Sequence, residues 1–559
     1  MSGSDIWRTH YNHPCRWDQS FAPLTLPELF EAAVRASGDK PVIDFFGRRF
    51  SYHEIARQVD RFACGLQALG IGRGDRVGLF LPNVPQYLVG YFGALKLGAI
   101  VVNFSPLYSV EELTHQVEDS GTRLLVTIDN AKLLPIAKAV LDASSLERLV
   151  VGSIAEALTP LQGLLYRVFR HREIAPLPKD PHVLPFAALL ANAGGCPPPR
   201  LDAENDIALI QYTGGTTGTP KGAILTHQNL TANARQIHAV DPHVGDLDRI
   251  LGVLPLFHVF ANSAVLNRTI WAGGEIVMLP RFDSGQVLKT IRRARPTTFP
   301  GVPTMFQALL DDPAVARTDF SSLRTVISGG APLPGALKQR FQDVTGVPIA
   351  EGYGLTETSG VASVNPYEGD NRSGTIGQPL PGTRFVLVDK EDPEQPAAPG
   401  EPGEITIAGP QIMRGYWKHV EEDAKVFVDG RLRTGDVGLI DADGYIRIVD
   451  RLKDMIVVGG FKVFPTQVEE VLYHNPAIRE AVVVGVPDAY LGERPMAFVT
   501  LAAGAVEDGE TLMRWANSRL GKHERLTAVE IRDSLPKTLI GKLSRKELKE
   551  EARARAASA

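Results

Sequence analysis

Cysteine is scarce in this chain, and the few cysteines form no recognisable pair. The sequence of 559 residues contains three of them, Cys15, Cys64 and Cys196. They are far apart, form no CxxC motif and have no histidine cluster beside them. A disulfide framework and a zinc site are therefore not expected, and we expect free thiols in a reducing compartment.

Long apolar runs are also absent. The longest apolar tract, residues 77–104, contains Pro82, Pro85 and Lys96, whereas a membrane-spanning helix needs about 20 consecutive apolar residues. A strand, a helix and a second strand explain the tract better. The N-terminus is polar and lacks the apolar region of a signal peptide, so we expect a cytoplasmic protein.

Positive charge is not in excess. The net charge is −5 at pH 7, which gives no electrostatic argument for nucleic acid as a partner. A hydrophobic share of 44% with 22% charged residues is typical of a globular enzyme. A chain of this length is expected to divide into at least two domains.

Short apolar runs alternate with helical spacing over roughly the first two thirds of the chain. The expected strands include 207–212, 275–279 and 325–328, and the expected helices include 110–119 and 285–294. This alternation predicts α/β layers on largely parallel sheets. Turn-rich β runs at 382–448 predict a small β-barrel-like unit, and a compact α+β module follows. We therefore place an N-terminal domain at 1–450 and a small, mobile C-terminal domain at 451–559.

A glycine- and hydroxyl-rich stretch, TGGTTGTPKG, occupies residues 213–222 between two expected strands. Glycines let backbone N–H groups approach phosphate oxygens closely, and hydroxyls add donors. The stretch is not a Walker A loop, because its lysine is displaced and no serine or threonine follows to bind magnesium. Taken alone, it fits a mobile polar hairpin equally well. The candidate phosphate ligands are Thr213, Gly214, Gly215, Thr216, Thr217, Gly218 and Lys221.

Further motifs accompany this loop in order along the chain. They are FSYHE at 50–54, SGGAPL at 328–333, EGYGLTET at 351–358, RTGD at 433–436, DRLKD at 450–454, GGFK at 459–462 and PKTLIGK at 536–542. Together with the loop they resemble the acyl-adenylate-forming superfamily, which includes acyl-CoA synthetases, luciferases and the adenylation domains of peptide synthetases. The resemblance covers nearly the whole chain, and so many collinear motifs are very specific.

The resemblance implies a reaction in two halves. A carboxylate attacks the α-phosphorus of ATP and expels pyrophosphate, and the thiol of coenzyme A then attacks the acyl-adenylate and expels AMP. A carboxylic acid has a reference pKa of about 4, so it is ionised at neutral pH and the first half needs no general base. The main demands are then positioning and charge stabilisation around phosphate.

The same resemblance gives each motif a role. The implied catalytic residues are Lys542, Thr356, Glu357 and His258, and the implied magnesium ligands are Glu357 and Thr213. The implied adenine contacts are Gly330, Ala331, Pro332 and Tyr353, and the implied ribose contacts are Asp436 and Arg451. Gly459, Gly460 and Lys462 would line the coenzyme A channel once the C-terminal domain has rotated about a hinge at Lys453.

Taken singly, several of these residues have ordinary interpretations. Glu357 fits a capping or surface acid, Lys542 fits a solvated lysine, and His258 fits a packed histidine. Only their place in the motifs selects them.

The identity of the acid is less fixed. The motifs NFSPLY at 103–108 and DRLKDMI at 450–456 look most like those of bacterial long-chain fatty-acyl-CoA synthetases. Val259, Phe260 and Val302 are expected in an apolar acyl pocket. Asn262 follows His258 by four residues on the same helical face, and a polar group there leaves room for a medium-chain, dicarboxylic or aryl acid.

An insertion at 155–185 carries apolar residues at helical spacing beside basic ones. The apolar positions are Leu158, Leu161, Leu164, Leu165, Val168 and Phe169, and the basic positions are Arg167, Arg170, His171 and Arg172. Two interpretations stay open, a helix on an anionic membrane surface and an ordinary helix packed on the domain. The resemblance also points to a homodimer.

Two further classes of function are carried as alternatives. Transfer of the acyl group to a separate carrier protein would use the same first half-reaction. A nucleotide-binding protein without activity is disfavoured because Lys542, Glu357 and Asp436 are all present.

Overall fold

The computed structural model describes residues 6–213, 220–488, 490–538 and 542–558. The first of two large sheets in the protein has eight strands. In spatial order its strands are Gly415–Tyr416, Gly222–Thr226, Ile207–Tyr212, Ile100–Asn103, Arg76–Leu79, Thr122–Ile128, Arg148–Gly152 and Val183–Pro185. The pairings are parallel except for the two at the 415–416 end.

A nine-stranded sheet forms the second large unit. Its strands, again in spatial order, are Gln378–Pro379, Ser363–Val364, Ile349–Tyr353, Thr325–Ser328, Thr298–Gly301, Arg249–Gly252, Glu275–Met278, Pro41–Phe45 and Arg48–Ser51. Its central pairings are parallel and its outer ones antiparallel. The α/β class expected from the alternating pattern is confirmed.

Helices pack on both sheets. Those of eight residues or more are Leu26–Ser37, Tyr52–Ala68, Pro85–Lys96, Val110–Ser120, Leu133–Ala143, Pro160–Phe169, His227–Ala239, Ser284–Ala294, Pro303–Leu310, Gly335–Thr345, Pro465–Tyr473, Gly509–Asn517 and Arg545–Ser558. Pro85–Lys96 is buried on all sides up to Leu95, as an all-round apolar helix must be. It contacts the eight-stranded sheet directly, and Tyr87 Oη donates to the carbonyl of Leu256 at 2.8 Å.

The FSYHE element has a structural explanation. Ser51 Oγ accepts a hydrogen bond from the backbone N–H of Glu54 at 3.1 Å and so caps helix Tyr52–Ala68. Tyr52 is buried and donates from Oη to the carbonyl of Gly274 at 2.8 Å. The element therefore joins this helix to the nine-stranded sheet.

A five-stranded antiparallel sheet stands where the small barrel-like unit was expected. Its strands are Arg384–Val388, Gly403–Ala408, Phe427–Val428, Arg431–Ile440 and Ile446–Arg451. Within the described residues, its edge strands are not paired with each other, so the sheet stays open.

The C-terminal module has a sheet of its own. The strands are Ile456–Val458, Phe461–Val463, Ile478–Asp488, Gly492–Leu501 and Val529–Ile531. Much of its apolar core, from Ile456 to Leu526, forms a cluster separate from the main core. Separate cores are compatible with a boundary at 450–451, which stays a prediction.

The insertion forms a helix at Pro160–Phe169 whose apolar side chains point away from the protein. Leu161, Leu164 and Phe169 are 68%, 60% and 76% exposed. The inner side is held by Gly163, where a Cβ would lie 2.5 Å from the carbonyl oxygen of Ala155. The helix packs on the domain through Gly163 and Tyr166 while its apolar stripe faces solvent, and contact with a membrane stays a prediction. No helix among the described residues is long and apolar enough to span a bilayer.

Cys64 and Cys196 are free thiols, yet they lie together. Their sulfur atoms and a carboxylate oxygen of Asp60 are within 4.8 Å of one another. The ammonium of Lys96 already pairs with Asp60 at 2.8 Å. The distance of 132 residues between the two cysteines hid this proximity from the sequence.

Candidate active site

One cleft of about 2420 Å³ receives residues from both sheets, the small antiparallel sheet and the C-terminal module. Thr213 follows a strand of the eight-stranded sheet, and Gly329 and Gly330 follow a strand of the nine-stranded sheet. Carboxyl ends of parallel strands are where α/β folds bind ligands. Single ligand pockets measure roughly 300–1,000 Å³, so this cleft has room for more than one substrate.

The glycine-rich stretch is framed by the expected hairpin. Strands Ile207–Tyr212 and Gly222–Thr226 pair antiparallel, and the N–H of Thr213 donates to the carbonyl of Lys221 at 2.9 Å. Thr213 and Lys221 both line the cleft. Gly214, Gly215, Thr216, Thr217 and Gly218 lie outside the described residues.

The TGD and DRLKD motifs meet through strand register. Asp436 and Arg451 stand directly opposite on neighbouring antiparallel strands, and Arg451 Nε lies 3.0 Å from Asp436 Oδ1. Tyr353 Oη donates to Asp436 Oδ2 at 2.5 Å. The Asp436 carboxylate is buried, and burial together with this carboxylate raises the pKa of Tyr353. The Asp436 carboxylate is therefore a hydrogen-bond acceptor held in a fixed position at the edge of the cleft.

Glu357 lies on a short 3₁₀ turn, Thr356–Thr358, that enters the cleft. Its Oε1 accepts a hydrogen bond from Tyr416 Oη at 2.7 Å. The turn needs Gly354, where a Cβ would be 2.2 Å from the carbonyl oxygen of Gly360. The carboxylate at 357 is therefore positioned and is not a loose surface acid, and hard cations such as magnesium prefer oxygen donors of this kind.

Gly330, Ala331 and Pro332 line the cleft after strand Thr325–Ser328. Just beyond them, the N–H of Leu333 donates to Glu351 Oε1 at 3.1 Å. Burial raises the pKa of Glu351 to about 7. This buried acid in the cleft was missed because EGYGLTET was interpreted from Tyr353 onward.

His258 is both a cleft residue and a helix cap. Its Nδ1 accepts a hydrogen bond from the N–H of Phe260 at 3.3 Å. Burial, reinforced by the nearby Lys542 ammonium, lowers the pKa of His258 to about 4. The ring is thus neutral at pH 7, and its remaining nitrogen, Nε2, carries the proton.

Lys542 lines the same cleft from the C-terminal module. Burial, then the positive charge of Arg451, lowers the pKa of Lys542 from its ordinary 10.5 to about 7. Within the described part of the chain, Lys542 forms no ion pair. Arg545, three residues on, anchors this segment through Glu469 at 2.5 Å and Asp454 at 3.6 Å. Sequence reasoning missed Arg545, although it lies only three residues beyond the PKTLIGK motif.

Apolar side chains line the part of the cleft near His258. They are Ile237, Phe257, Val259, Phe260, Ala264, Val302, Ile327 and Leu333. The expectation that Asn262 joins this wall is wrong. His258 is the N-cap of helix Val259–Ala261 and has an extended backbone (φ −96°, ψ 137°), so helical spacing does not put its side chain on one face with Asn262. Asn262 Oδ1 instead accepts from Tyr91 Oη at 3.2 Å and from Asn267 Nδ2 at 2.9 Å, in the buried interior.

Gly459, Gly460 and Lys462 are not brought to the cleft. The two glycines make the turn between strands Ile456–Val458 and Phe461–Val463. Lys462 Nζ lies 3.5 Å from Glu391 on the small antiparallel sheet. In this arrangement the GGFK turn stands apart, whereas Lys453 lines the cleft two residues after Arg451.

Two protein-family models match the sequence over most of its length. The model described as AMP-binding enzyme matches residues 30–417, and the model of its C-terminal domain matches residues 467–542. The chain belongs to the AMP-binding enzyme family, and the expected adenylate-forming fold is confirmed.

Individual relatives extend the match over the whole chain. A long-chain-fatty-acid–CoA ligase of Bacillus subtilis (strain 168) is 40% identical over 99% of both chains. A feruloyl-CoA synthase of an Amycolatopsis species is 36% identical over 92% of this chain and 96% of its own.

Among solved structures, ATP-bound MatB from Rhodopseudomonas palustris matches with a TM-score of 0.82. It is 29% identical, with 94% of this chain and 99% of that chain covered. The apo form of MatB, at 28% identity and the same coverage, gives 0.73.

Proposed function

We propose that this protein is an ATP-dependent acid–coenzyme A ligase that activates a fatty acid as acyl-AMP and transfers the acyl group to coenzyme A. One observation carries the proposal. Residues of five separate motifs, namely Thr213, Gly330, Glu357, Asp436 and Lys542, line one cleft. That cleft has the chemistry of a nucleotide site, and burial makes its histidine, His258, a weak base with a pKa of about 4.

In the first half-reaction the acid carboxylate attacks the α-phosphorus and pyrophosphate leaves. Lys542, charged once anionic ligands are present, stabilises the negative charge that develops on the α-phosphate. His258 donates its Nε2 proton as a hydrogen bond to the same region and does not accept a proton. Asp436 accepts hydrogen bonds from the ribose hydroxyls, and Tyr353 contacts the adenine.

Glu357 and Thr213 would hold a magnesium ion. Magnesium bound there would neutralise charge on the phosphates. Tyr416 keeps Glu357 aimed at the cleft through its hydrogen bond of 2.7 Å. Thr213, at the base of the phosphate-binding hairpin, and Glu357 line the same cleft, which supports this assignment.

In the second half-reaction the coenzyme A thiol attacks the acyl carbon and AMP leaves. We propose that domains 1–450 and 451–559 change their arrangement about Lys453 between the halves, which would bring Gly459, Gly460 and Lys462 to the cleft. The closer likeness to ATP-bound than to apo MatB, with TM-scores of 0.82 and 0.73, supports an adenylation arrangement in the present structure.

A long aliphatic acid is the proposed substrate. The wall near His258 is apolar, and the buried amide of Asn262 does not contribute to it. A relative named for feruloyl-CoA synthesis keeps the aryl alternative open.

The test is acid-dependent exchange of pyrophosphate into ATP without coenzyme A, across acids of rising chain length, dicarboxylic acids and aryl acids. We expect exchange to be fastest with long-chain acids. If none of the acids in the panel supports exchange, the ligase is rejected. If the acyl group is transferred only to a carrier protein, coenzyme A is rejected as the acceptor.

We also propose that helix Pro160–Phe169 contacts an anionic membrane surface. Five apolar side chains, at Leu161, Leu164, Leu165, Val168 and Phe169, are between 45% and 76% exposed, and Arg167 and Arg172 are close in sequence. Apolar anchors beside basic residues suit a negatively charged lipid interface.

Sedimentation with phosphatidylglycerol-containing vesicles tests this contact. Leu164→Ser with Phe169→Ser is expected to abolish binding, whereas Leu107→Ser, at a comparably exposed site of 62%, is the control. If the wild type instead forms a concentration-dependent dimer and the double variant is monomeric, the exposed apolar face would bind a second copy of the chain.

A further inference from the structure

Residues 415–426, here called the covering segment, contact two of the groups proposed to meet phosphate and magnesium. Tyr416 Oη donates to Glu357 Oε1 at 2.7 Å. The carboxylate of Glu422 forms an ion pair with Lys221 Nζ. Lys221 Nζ also lies 5.5 Å from the centre of the Tyr416 ring. The two proposed groups are therefore engaged from one side by a single short piece of chain.

The covering segment is firmly attached. Its first two residues, Gly415 and Tyr416, pair antiparallel with strand Gly222–Thr226. The N–H of Trp417 donates to the carbonyl of Gly222 at 2.7 Å, and Trp417 Nε1 donates to the carbonyl of Asp119 at 3.1 Å. The N–H of Tyr416 donates to Asp423 Oδ1 at 2.8 Å, which fixes the following helix. The position of Glu422 is thus built into the fold.

Glu422 has two cationic partners. Oε2 faces Lys221, and Oε1 lies 2.7 Å from Lys425 Nζ. Hydrogen bonds from Lys221 and Lys425 lower the pKa of Glu422 to about 2, so it is ionised at any physiological pH. If Lys221 turned to another anion, Glu422 would keep Lys425 as a partner. The movement of Lys221 to another anion would therefore not leave the Glu422 carboxylate without a cationic partner.

We propose that Glu422 is a stand-in for the terminal phosphates of ATP: its carboxylate pairs with Lys221 in the nucleotide-free protein and is displaced when the triphosphate binds. The inference rests on the proposed function, because it takes the cleft as the ATP site. It makes Glu422 a competitor that holds the Lys221 ammonium and so limits ATP affinity.

The expected effect is modest. The side chains of Lys221 and Glu422 are 33% and 28% exposed, so solvent screens their attraction. Ion pairs of this kind change an equilibrium constant by only a few-fold. Glu422→Gln is therefore expected to tighten ATP binding by about three- to fivefold.

The neighbouring Glu421 offers a matched control. It is exposed and next in sequence, and Glu421→Gln removes the same charge from the same helix. Titration calorimetry with ATP and magnesium, without acid, gives the dissociation constant for the wild type and both variants. Tightening in Glu422→Gln alone supports the proposal. Equal tightening in both variants, no change, or weaker binding in Glu422→Gln overturns it.

A second measurement needs no nucleotide. Brief acetylation of the free protein, read by mass spectrometry at Lys221, reports how well its amine is held. We expect faster labelling in Glu422→Gln than in the wild type or Glu421→Gln, and ATP should protect Lys221 in all three. Equal labelling rates overturn the proposal. If the wild type binds no ATP, the proposed function fails, and the labelling comparison still decides whether Glu422 holds Lys221.

Discussion

Two carboxylates of the cleft are paired before any ligand arrives. Asp436 has Tyr353 at 2.5 Å and Arg451 at 3.0 Å, and Glu357 has Tyr416 at 2.7 Å. Lys542 reaches the same cleft from the C-terminal module, and burial, then the positive charge of Arg451, lowers its pKa to about 7. The paired groups are preorganised, whereas Lys542 forms no ion pair among the described residues and gains one when an anion enters the cleft.

This contrast fits the chemistry proposed for the site. Recognition of adenosine benefits from fixed donors and acceptors, because they need no rearrangement on binding. Stabilisation of charge that develops on the α-phosphate benefits from a cation with no strong partner in the free protein. The predictions below test the paired groups against Lys542, from the largest expected effect to the smallest.

Removal of the lysine should separate the two half-reactions. Lys542→Ala is expected to lower the rate of acyl-AMP formation by about 10²–10³-fold, the usual cost of losing a charge-stabilising group. Thioester formation from added acyl-AMP should be nearly unchanged. The exposed Lys546, four residues further on, provides the control substitution Lys546→Ala. An equal loss in both half-reactions would show a structural role for Lys542.

Removal of the buried carboxylate should weaken nucleotide recognition. Asp436→Asn loses the charge that pairs with Arg451, and charge-assisted hydrogen bonds are worth about 1.5–3 kcal/mol. We expect KM for ATP to rise by about ten- to a hundredfold while KM for the acid stays near its wild-type value. Equal rises in both constants would mean that the substitution has disturbed the whole cleft.

Loss of one hydroxyl should loosen the carboxylate at 357. Tyr416→Phe removes the donor to Glu357, and we expect the magnesium concentration for half-maximal adenylation to rise by about three- to tenfold. Tyr490→Phe, at a residue that is 93% exposed, is the control. An unchanged magnesium requirement would detach Tyr416 from the proposed metal site.

The smallest effect is on stability. Charging Lys542 is disfavoured in the folded protein, where its pKa is about 7, and unopposed in the unfolded chain, where it is 10.5. The cost is full below pH 7, shrinks as pH rises from 7, and is gone above 10.5. Lys542→Met should therefore raise Tm more at pH 6 than at pH 9. A gain that is the same at both pH values would contradict a charge-based cost.

Local features of the fold were predictable from sequence because they depend on neighbouring residues. The hairpin around 213–222 follows from two apolar runs that flank glycines, and the α/β class follows from alternating periodicity. The motif resemblance identified Asp436, Glu357 and Lys542 as members of one site. Their pairing partners depend on long-range contacts and were not predictable.

The features that the sequence did not predict depend on contacts between distant residues or on the direction in which a side chain points. Tyr416 and Glu422 reach their partners across 59 and 201 residues, and the sequence gives no sign of that separation closing. Asn262 was misplaced because residue spacing treated His258 as a helical residue, whereas it is an N-cap with an extended backbone. The apolar stripe at 160–169 has the same periodicity whether it faces the core or solvent, so only the structure decided its direction.

The pKa of Lys542 is the most direct test of the contrast between the paired groups and this lysine. Reductive methylation with ¹³C-formaldehyde, followed by NMR titration against a Lys542→Arg reference for assignment, reports it in the free and ATP-bound protein. The account predicts a value of about 7 in the free protein and a clear rise when ATP is bound. A value near the ordinary 10.5 in the free protein, with no change on binding ATP, would contradict it.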